Sequence, residues 1–134
     1  MSIINLTQHS ATADQIEAGV FDLPESIRRD LSALMTFDDM SDATETKIAA
    51  RAGRIAAIAA LHASPDDRED DKGFAGTAMI GGALWLMRPL VNTLIDQGIT
   101  PVFAFSKRET IESPDGNGGV RKPAVFKHAG FVPA

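Results

Sequence analysis

The feature that most constrains the fold is a strand, a helix and a second strand in direct succession in the second half of the chain. The apolar run Phe74–Ile80 predicts a buried strand, and Gly81-Gly82 follows it. Residues 83–97 predict a helix in which Pro89 either introduces a kink or marks the true start. Ile99–Phe105 predicts the next strand. This spacing is typical of parallel strands joined by a right-handed helical crossover, so the sequence predicts an α/β fold.

The rest of the chain supplies further elements for the same sheet. Ser2–Leu6 predicts a short buried strand, and helices are predicted over residues 14–19, 23–34 and 42–62. The apolar runs on either side of Pro114–Gly119 predict a C-terminal antiparallel hairpin. We therefore expect a single three-layer Rossmann-like domain over residues 1–134 with a mainly parallel central sheet. Its adjacent central strands are expected to be Ile3–Leu6, Thr77–Ile80 and Pro101–Phe105.

Composition limits the classes of protein to consider. With 134 residues, 44% of them hydrophobic, the chain can bury one core but not two. A net charge of −5 argues against a protein that coats long nucleic acid. No stretch approaches the roughly 18 apolar residues of a membrane span, the N-terminus lacks a basic leader, and no cysteine is present. We therefore expect a cytoplasmic protein, in which the acidic segment 66–72 forms a mobile loop.

Positive charge is concentrated in the last third of the chain. Residues 100–134 carry five cations and three carboxylates, a balance of +2, whereas the whole chain is −5 and the remainder is therefore −7. This asymmetry favours one surface that binds a small anion or a nucleotide. The cations are Lys107, Arg108, Arg121, Lys122 and Lys127.

Three polar segments are predicted to meet at one edge of the sheet. Gly81-Gly82 lies between a strand and a helix, where free N–H groups and the helix dipole suit a phosphate, although two glycines also simply permit a tight turn. Thr7-Gln8-His9 follows the first strand, and Ser106-Lys107-Arg108 follows Phe105. In an extended segment Ser106 and Arg108 share a side and Lys107 points to the other. This edge is therefore the predicted ligand site.

Histidines are the candidates for acid–base chemistry at that site. His9 and His128 suit proton transfer on a phosphodiester, whereas His62 ends a helix and is expected to interact with the helix dipole. No two histidines have metal-ligand spacing, and the Asp66–Asp71 segment lacks the glycine and the terminal glutamate of a calcium loop. Neither a dinucleotide fingerprint nor a P-loop is present. We therefore predict neither a metal nor a cofactor.

Four short motifs carry a resemblance to a known family. They are Ile3–Gln15, Met79–Gly82, Ala104–Glu112 and Val125–Phe131. Together they resemble the small CRISPR-associated Rossmann-fold (CARF-like) proteins, in particular the stand-alone ring nucleases. The strand-end pattern S/T-K-R-x-x-x-E and the closing pattern F-x-H-x-x-F of that family are both present. The long N-terminal helical region and the acidic loop depart from the family.

The resemblance implies a function and an assembly. Members of the family are usually homodimers that bind cyclic oligoadenylate, the second messenger of type III CRISPR systems, and ring nucleases cleave it without a metal through 2′-hydroxyl attack. It implies that Lys107 or Arg108 stabilises the oxyanion and that His9 moves a proton. Ligand contacts are expected from Thr7, Gln8, Gly81, Gly82, Ser106 and His128. A dimer is also favoured by apolar residues in excess of one small core, notably Trp85, Leu86 and Met87.

Two alternatives remain open at this point. The same pocket residues suit a protein that senses or sequesters a cyclic nucleotide without cutting it, because the groups that position a ligand for binding and for in-line attack are of the same types. An enzyme that acts on another small phosphorylated or nucleoside substrate is the second alternative.

Overall fold

The computed structural model of the protein describes residues 2–63, 76–110, 113–114, 120–121 and 124–134. At its centre is a five-stranded sheet in the order β2-β1-β3-β4-β7, in which the first four strands are parallel and β7 runs antiparallel to β4. The predicted α/β class and the three adjacent parallel strands are confirmed. The strands are β1 (Ile3–Asn5), β2 (Val20–Phe21), β3 (Gly76–Ile80), β4 (Ile99–Thr110), β7 (Ala124–Pro133) and the separate antiparallel pair β5 (Ser113–Pro114) and β6 (Val120–Arg121).

One face of the sheet is covered by three helices and forms the main core. These are α2 (Glu25–Met35), α3 (Glu45–His62) and α4 (Leu84–Asp96), each at a predicted position. Fully buried alanines on α3 allow this helix to approach its neighbours closely. Because α4 begins five residues before Pro89, the proline lies inside the helix and does not start it. Buried residues of this core include Ile4, Leu6, Leu31, Ala52, Ile55, Ala56, Ala59, Ala78, Ile80, Leu86, Leu90 and Leu94.

The opposite face carries a smaller apolar cluster and a thin third layer. Ile3, Val20 and Met79 are buried there, and Ala11, just before helix α1 (Ala13–Glu17), packs against them. The crossovers from β1 to β2 and from β3 to β4 run in opposite directions, and the right-handed connection that parallel strands favour puts α1 and α4 on opposite faces. No residue of α1 is buried. Strand β2 was not predicted, because two residues are too few to show a pattern.

Strand β4 extends well beyond its parallel neighbour. Strand β3 ends at Ile80, which pairs with Phe103, whereas β4 continues to Thr110 and pairs only with β7. We call the projecting ribbon, residues 104–110 and 124–131, the arm. The prediction that the strand ends at Phe105 was therefore wrong, because β7 satisfies the hydrogen bonds of β4 where β3 has ended. At about 3.4 Å per residue, the arm projects about 24 Å past Phe103.

Two sequence predictions fall outside the described residues. They are the mobile acidic loop at 66–72 and the hairpin turn at 115–119. In the part of the chain that the structure describes, none of the helices combines the length and the apolar character needed to cross a membrane.

Candidate functional site

A pocket of about 400 Å³ opens where β1 and β3 end. The chain leaves β1 toward β2 and leaves β3 toward β4, so the two loops diverge and a crevice forms between them, as is usual at the switch point of an open α/β sheet. We call it the switch-point pocket. It brings together the predicted residues Thr7, Gln8, His9, Gly81 and Gly82. The other lining residues are Ser10, Thr12, Gln15, Met79, Ile80, Phe103 and Ala104.

Asn5, a buried residue that the sequence analysis did not single out, shapes the first wall of the pocket. Its Oδ1 accepts from the backbone N–H of Thr7 at 2.9 Å and from the Thr7 hydroxyl at 2.7 Å. Its Nδ2 donates to the His9 carbonyl at 2.7 Å and to Asp22 Oδ1 at 2.8 Å. All four hydrogen-bonding positions of the amide are therefore used. Asn5 folds the loop after β1 back on itself and fixes where Thr7 and His9 lie.

Further contacts tie the same loop to its surroundings. Asp22, which follows β2, also accepts from the backbone N–H of Ala11 at 3.0 Å. Gln8 Nε2 donates to Thr36 Oγ1 at 2.9 Å, which attaches the loop to the end of α2. Arg28 donates to the Ser10 hydroxyl at 2.7 Å. The loop is thus fixed from three sides, as a preorganised binding site requires.

Glycine is required at the second wall. Gly82 has φ of +137°, and a Cβ there would lie 3.1 Å from the Met35 methyl group. The next residue, Ala83, is the N-cap of α4, and its side chain makes no capping hydrogen bond. The first amides of α4 therefore donate to no capping side chain, and they follow the pocket residues Gly81 and Gly82 directly in the sequence. The prediction of a helix N-terminus directly after Gly81-Gly82 is confirmed.

The charge of the pocket suits an anion. Among the described lining residues there is no carboxylate, although the whole chain carries a net charge of −5. His9 is the one titratable side chain in that lining, and the guanidinium of Arg28 stands behind Ser10. Neutral hydroxyl and amide groups with helix amides are the partners that phosphates find in such crevices. The described residues contain no group of three His, Asp or Glu side chains that could hold a metal ion.

The remaining predicted site residues lie on the arm and do not line the pocket. Ser106 pairs with His128 across the two strands, and Arg108 lies two residues further along the same face. Lys107 lies on the other face, directly opposite Lys127. The predicted separation of Lys107 from Ser106 and Arg108 follows from this register. Arg108 lies four residues beyond Ala104, which is about 14 Å along the strand.

The imidazole of His128 is held against the base of the arm. Its ring centroid is 4.9 Å from that of Phe131, which pairs with the pocket residue Ala104. A bulge in the strand pairing places His128 and Phe131 on one face, although they are an odd number of positions, three, apart. Nδ1 of His128 is buried without a hydrogen-bond partner in the described part of the chain. Because buried polar atoms are usually paired, an unpaired nitrogen here is unusual.

Several residues that build the site were not among the predicted site residues. Thr12 caps α1 and Gln15 completes its capping box, a pattern that the sequence T-x-x-Q itself displays. The sequence contains one signal for the role of Asn5, because it is a polar residue inside an otherwise apolar strand. The sequence contains no such signal for Asp22 and Arg28, because they reach the loop through tertiary contacts.

Comparison with protein families matches residues 1–132 to the family described as the Uncharacterized protein MJ1673 family. The match spans nearly the whole chain, and the chain belongs to this family. No curated protein and no solved structure matches the chain.

Proposed function

We propose that this protein of the MJ1673 family binds cyclic oligoadenylate and cleaves it without a metal, as a ring nuclease. The observation that carries the proposal is the switch-point pocket, in which neutral hydrogen-bonding groups and one histidine line a crevice with no carboxylate among its described lining, beside Gly81 and Gly82, which precede the start of α4. This composition suits the phosphate and ribose of a nucleotide. The proposed ligand is an intracellular messenger, so the protein is placed in the cytoplasm.

In this proposal one nucleotide of the ring occupies the pocket. The amides at the start of α4, next to Gly81 and Gly82, hold its phosphate. Thr7 and Gln8 contact the ribose or the adenine. A pocket of about 400 Å³ lies near the lower end of the range of about 300 to 1,000 Å³ for ligand sites. It therefore has room for one nucleotide unit and not for a whole ring.

The rest of the ring requires further surface. The arm begins at the pocket wall, and the face that continues from Ala104 carries Ser106, Arg108 and His128. These groups offer a hydroxyl, a guanidinium and an imidazole to the next phosphate. A second copy of the chain, related by a two-fold axis, would supply the same groups to the opposite side of a symmetric ring. The proposal therefore includes a homodimer.

The reaction needs positioning more than reactive groups. The ribose 2′-hydroxyl oxygen attacks the adjacent phosphorus, the bond from phosphorus to the 5′-oxygen breaks, and a 2′,3′-cyclic phosphate and a 5′-hydroxyl result. His9 accepts the proton of the 2′-hydroxyl, and the departing 5′-oxygen takes a proton from water. Arg108 stabilises the charge on the non-bridging oxygens of the transition state. Arg108 is chosen over Lys107 because it shares a face with Ser106 and His128.

One observation favours a second candidate, a protein that binds the ring without cutting it. His9 is the one titratable side chain among the described residues that line the pocket, whereas acid–base catalysis commonly uses two such groups. In a sensor or a sequestering protein the same hydroxyl, amide and helix groups would hold the ligand, and no proton would have to move.

The test is an incubation of the purified protein with cyclic tri-, tetra- and hexa-adenylate in the presence of EDTA. Products are separated by chromatography and identified by mass, and binding is measured by calorimetry. Cleavage to a 2′,3′-cyclic phosphate supports the ring nuclease, and tight binding of an intact ring supports the sensor. Neither binding nor cleavage of any ring contradicts both. His9→Ala is compared with His62→Ala, a substitution of a histidine at the distant end of α3.

A further inference from the structure

The second face of the arm carries an aromatic ring and two cations in a row. Phe105 and Lys107 alternate along β4 with Ser106 and Arg108, so they point to the other side of the ribbon. Lys127 of β7 lies directly opposite Lys107. We call Phe105, Lys107 and Lys127 the arm strip. None of the three lines the switch-point pocket.

The two lysines form a cross-strand pair of like charge. Side chains directly opposite each other on antiparallel strands are close, and like charges in such a pair repel. Both lysines are exposed, and among the side chains that the structure describes neither has a carboxylate within 4.0 Å. The two positive charges repel each other when no ligand is present, and the pair becomes favourable when phosphates lie beside the two ammonium groups.

The aromatic ring beside this pair is open to a ligand. Phe105 is 49% exposed, an unusual fraction for a phenylalanine within a strand. Its partner across the ribbon is Gly130, which has no side chain to cover the ring. A Cβ placed on Gly130 would meet no atom of the described residues within 4 Å. None of the residues that the structure describes therefore fills the space next to Phe105 on the β7 side.

We infer that the arm strip binds a short single-stranded oligonucleotide. A base stacks on Phe105, and the phosphates on either side of the sugar lie near Lys107 and Lys127. An exposed ring next to a cation pair is how proteins hold single strands without reading their sequence, because every base has a face that stacks. An acidic protein segment would use the lysines but would gain little from the ring. This site is separate from the proposed cleavage, which uses the opposite face of the arm.

The experiment measures binding of linear hexa-adenylate with a 5′ fluorophore by anisotropy at several salt concentrations, with EDTA present. Each phosphate contact on a single strand contributes about 0.7 to the slope of log K against log salt concentration. The double variant Lys107→Gln/Lys127→Gln is therefore expected to lower that slope by about 1.4. Loss of base stacking in Phe105→Leu is expected to weaken binding about tenfold and to leave the slope unchanged.

The controls are Arg54→Gln, which removes an exposed cation on α3, and Leu61→Ala, which removes an exposed apolar side chain. Circular dichroism and thermal unfolding check that each variant is folded. Unchanged slopes in the double lysine variant, or undetectable binding of hexa-adenylate to the parent protein, would overturn the inference. So would displacement by polyglutamate together with no effect of Phe105→Leu, which would indicate an acidic protein partner.

The outcome is independent of the proposed ring cleavage. If the linear strand binds with the expected dependence on Phe105 and the two lysines while no cyclic oligoadenylate is bound or cut, the proposed function fails and the arm strip stands. If rings are cut and the linear strand does not bind, the proposed function stands and the inference about the arm strip fails.

Discussion

The side-chain amide of Asn5 donates to the carboxylate of Asp22 across 2.8 Å, and this contact joins the ends of the two strands that flank one side of the pocket. The same amide makes three more hydrogen bonds to Thr7 and His9. Asn5 is the one buried polar side chain among the described residues. Its network is therefore the structural basis of the pocket wall.

Replacing this amide by an apolar side chain of similar size should destabilise the protein. Asn5→Leu leaves the Thr7 amide and the His9 carbonyl without their partner, and we expect a loss of about 2 to 3 kcal/mol in the free energy of unfolding. Urea denaturation measures it. The matched control is Asn92→Leu on the exposed face of α4, which should change stability by less than about 0.5 kcal/mol. Equal midpoints for the two variants would show that the network is not needed for folding.

Two glycine-to-alanine substitutions should have opposite effects. Gly82 has φ of +137° and the Met35 methyl group would lie 3.1 Å from a new Cβ, so Gly82→Ala should destabilise the protein by about 1 to 3 kcal/mol. Gly53 lies inside α3, where a Cβ would meet nothing within 4 Å, so Gly53→Ala should stabilise by about 0.5 to 1 kcal/mol. Thermal and urea unfolding compare the two. A stable Gly82→Ala protein would contradict the proposed need for glycine at the pocket wall.

The sequence predicted those parts of the fold that depend on local patterns. Long helices and apolar strands show their periodicity, and Gly81-Gly82 shows a break between a strand and a helix, so the sheet centre and half of the pocket were predictable. The two-residue strand β2 and the length of β4 depend on which strands pair, which no local pattern displays. For the same reason the contacts of Asp22 and Arg28 with the loop after β1 were not predictable.

The expected dimer contact illustrates the same limit. Trp85, Leu86 and Met87 are adjacent in sequence, but they lie on a helix, which directs them to different sides. Leu86 and Met87 are buried in the core of the domain, so they are unavailable for a dimer contact. Leu84 and Trp85 at the start of α4 are exposed. Of the three predicted residues, Trp85 is therefore the one available to a partner, and with Leu84 it forms an exposed apolar pair in the first turn of α4.

We predict that the protein forms a two-fold dimer through this first turn. Light scattering at micromolar concentration should give twice the chain mass of 14.3 kDa. The double variant Leu84→Ser/Trp85→Ser should give the monomer mass with an unchanged circular dichroism spectrum, because neither side chain belongs to the buried core. Leu61→Ser, at an exposed position of α3, is the control and should remain dimeric. A monomeric parent protein would contradict this prediction and the proposal that a symmetric ring binds across a two-fold axis between two copies of the chain.

The last prediction distinguishes the two adjacent cations of the arm. Arg108 shares a face with Ser106 and His128, whereas Lys107 belongs to the arm strip on the other face. Arg108→Ala should therefore lower the single-turnover rate of ring cleavage on the order of 100-fold, as loss of one oxyanion-stabilising group does, with the fold intact. Lys107→Ala should lower the cleavage rate less than about threefold. Its ammonium group lies on the opposite face of the arm, where solvent and salt screen its interaction with the reacting phosphate. Rates are measured with excess protein in EDTA. Equal rates for Arg108→Ala and the parent protein, or cleavage that stops in chelator and returns with a divalent metal, would contradict the mechanism even if the substrate is correct.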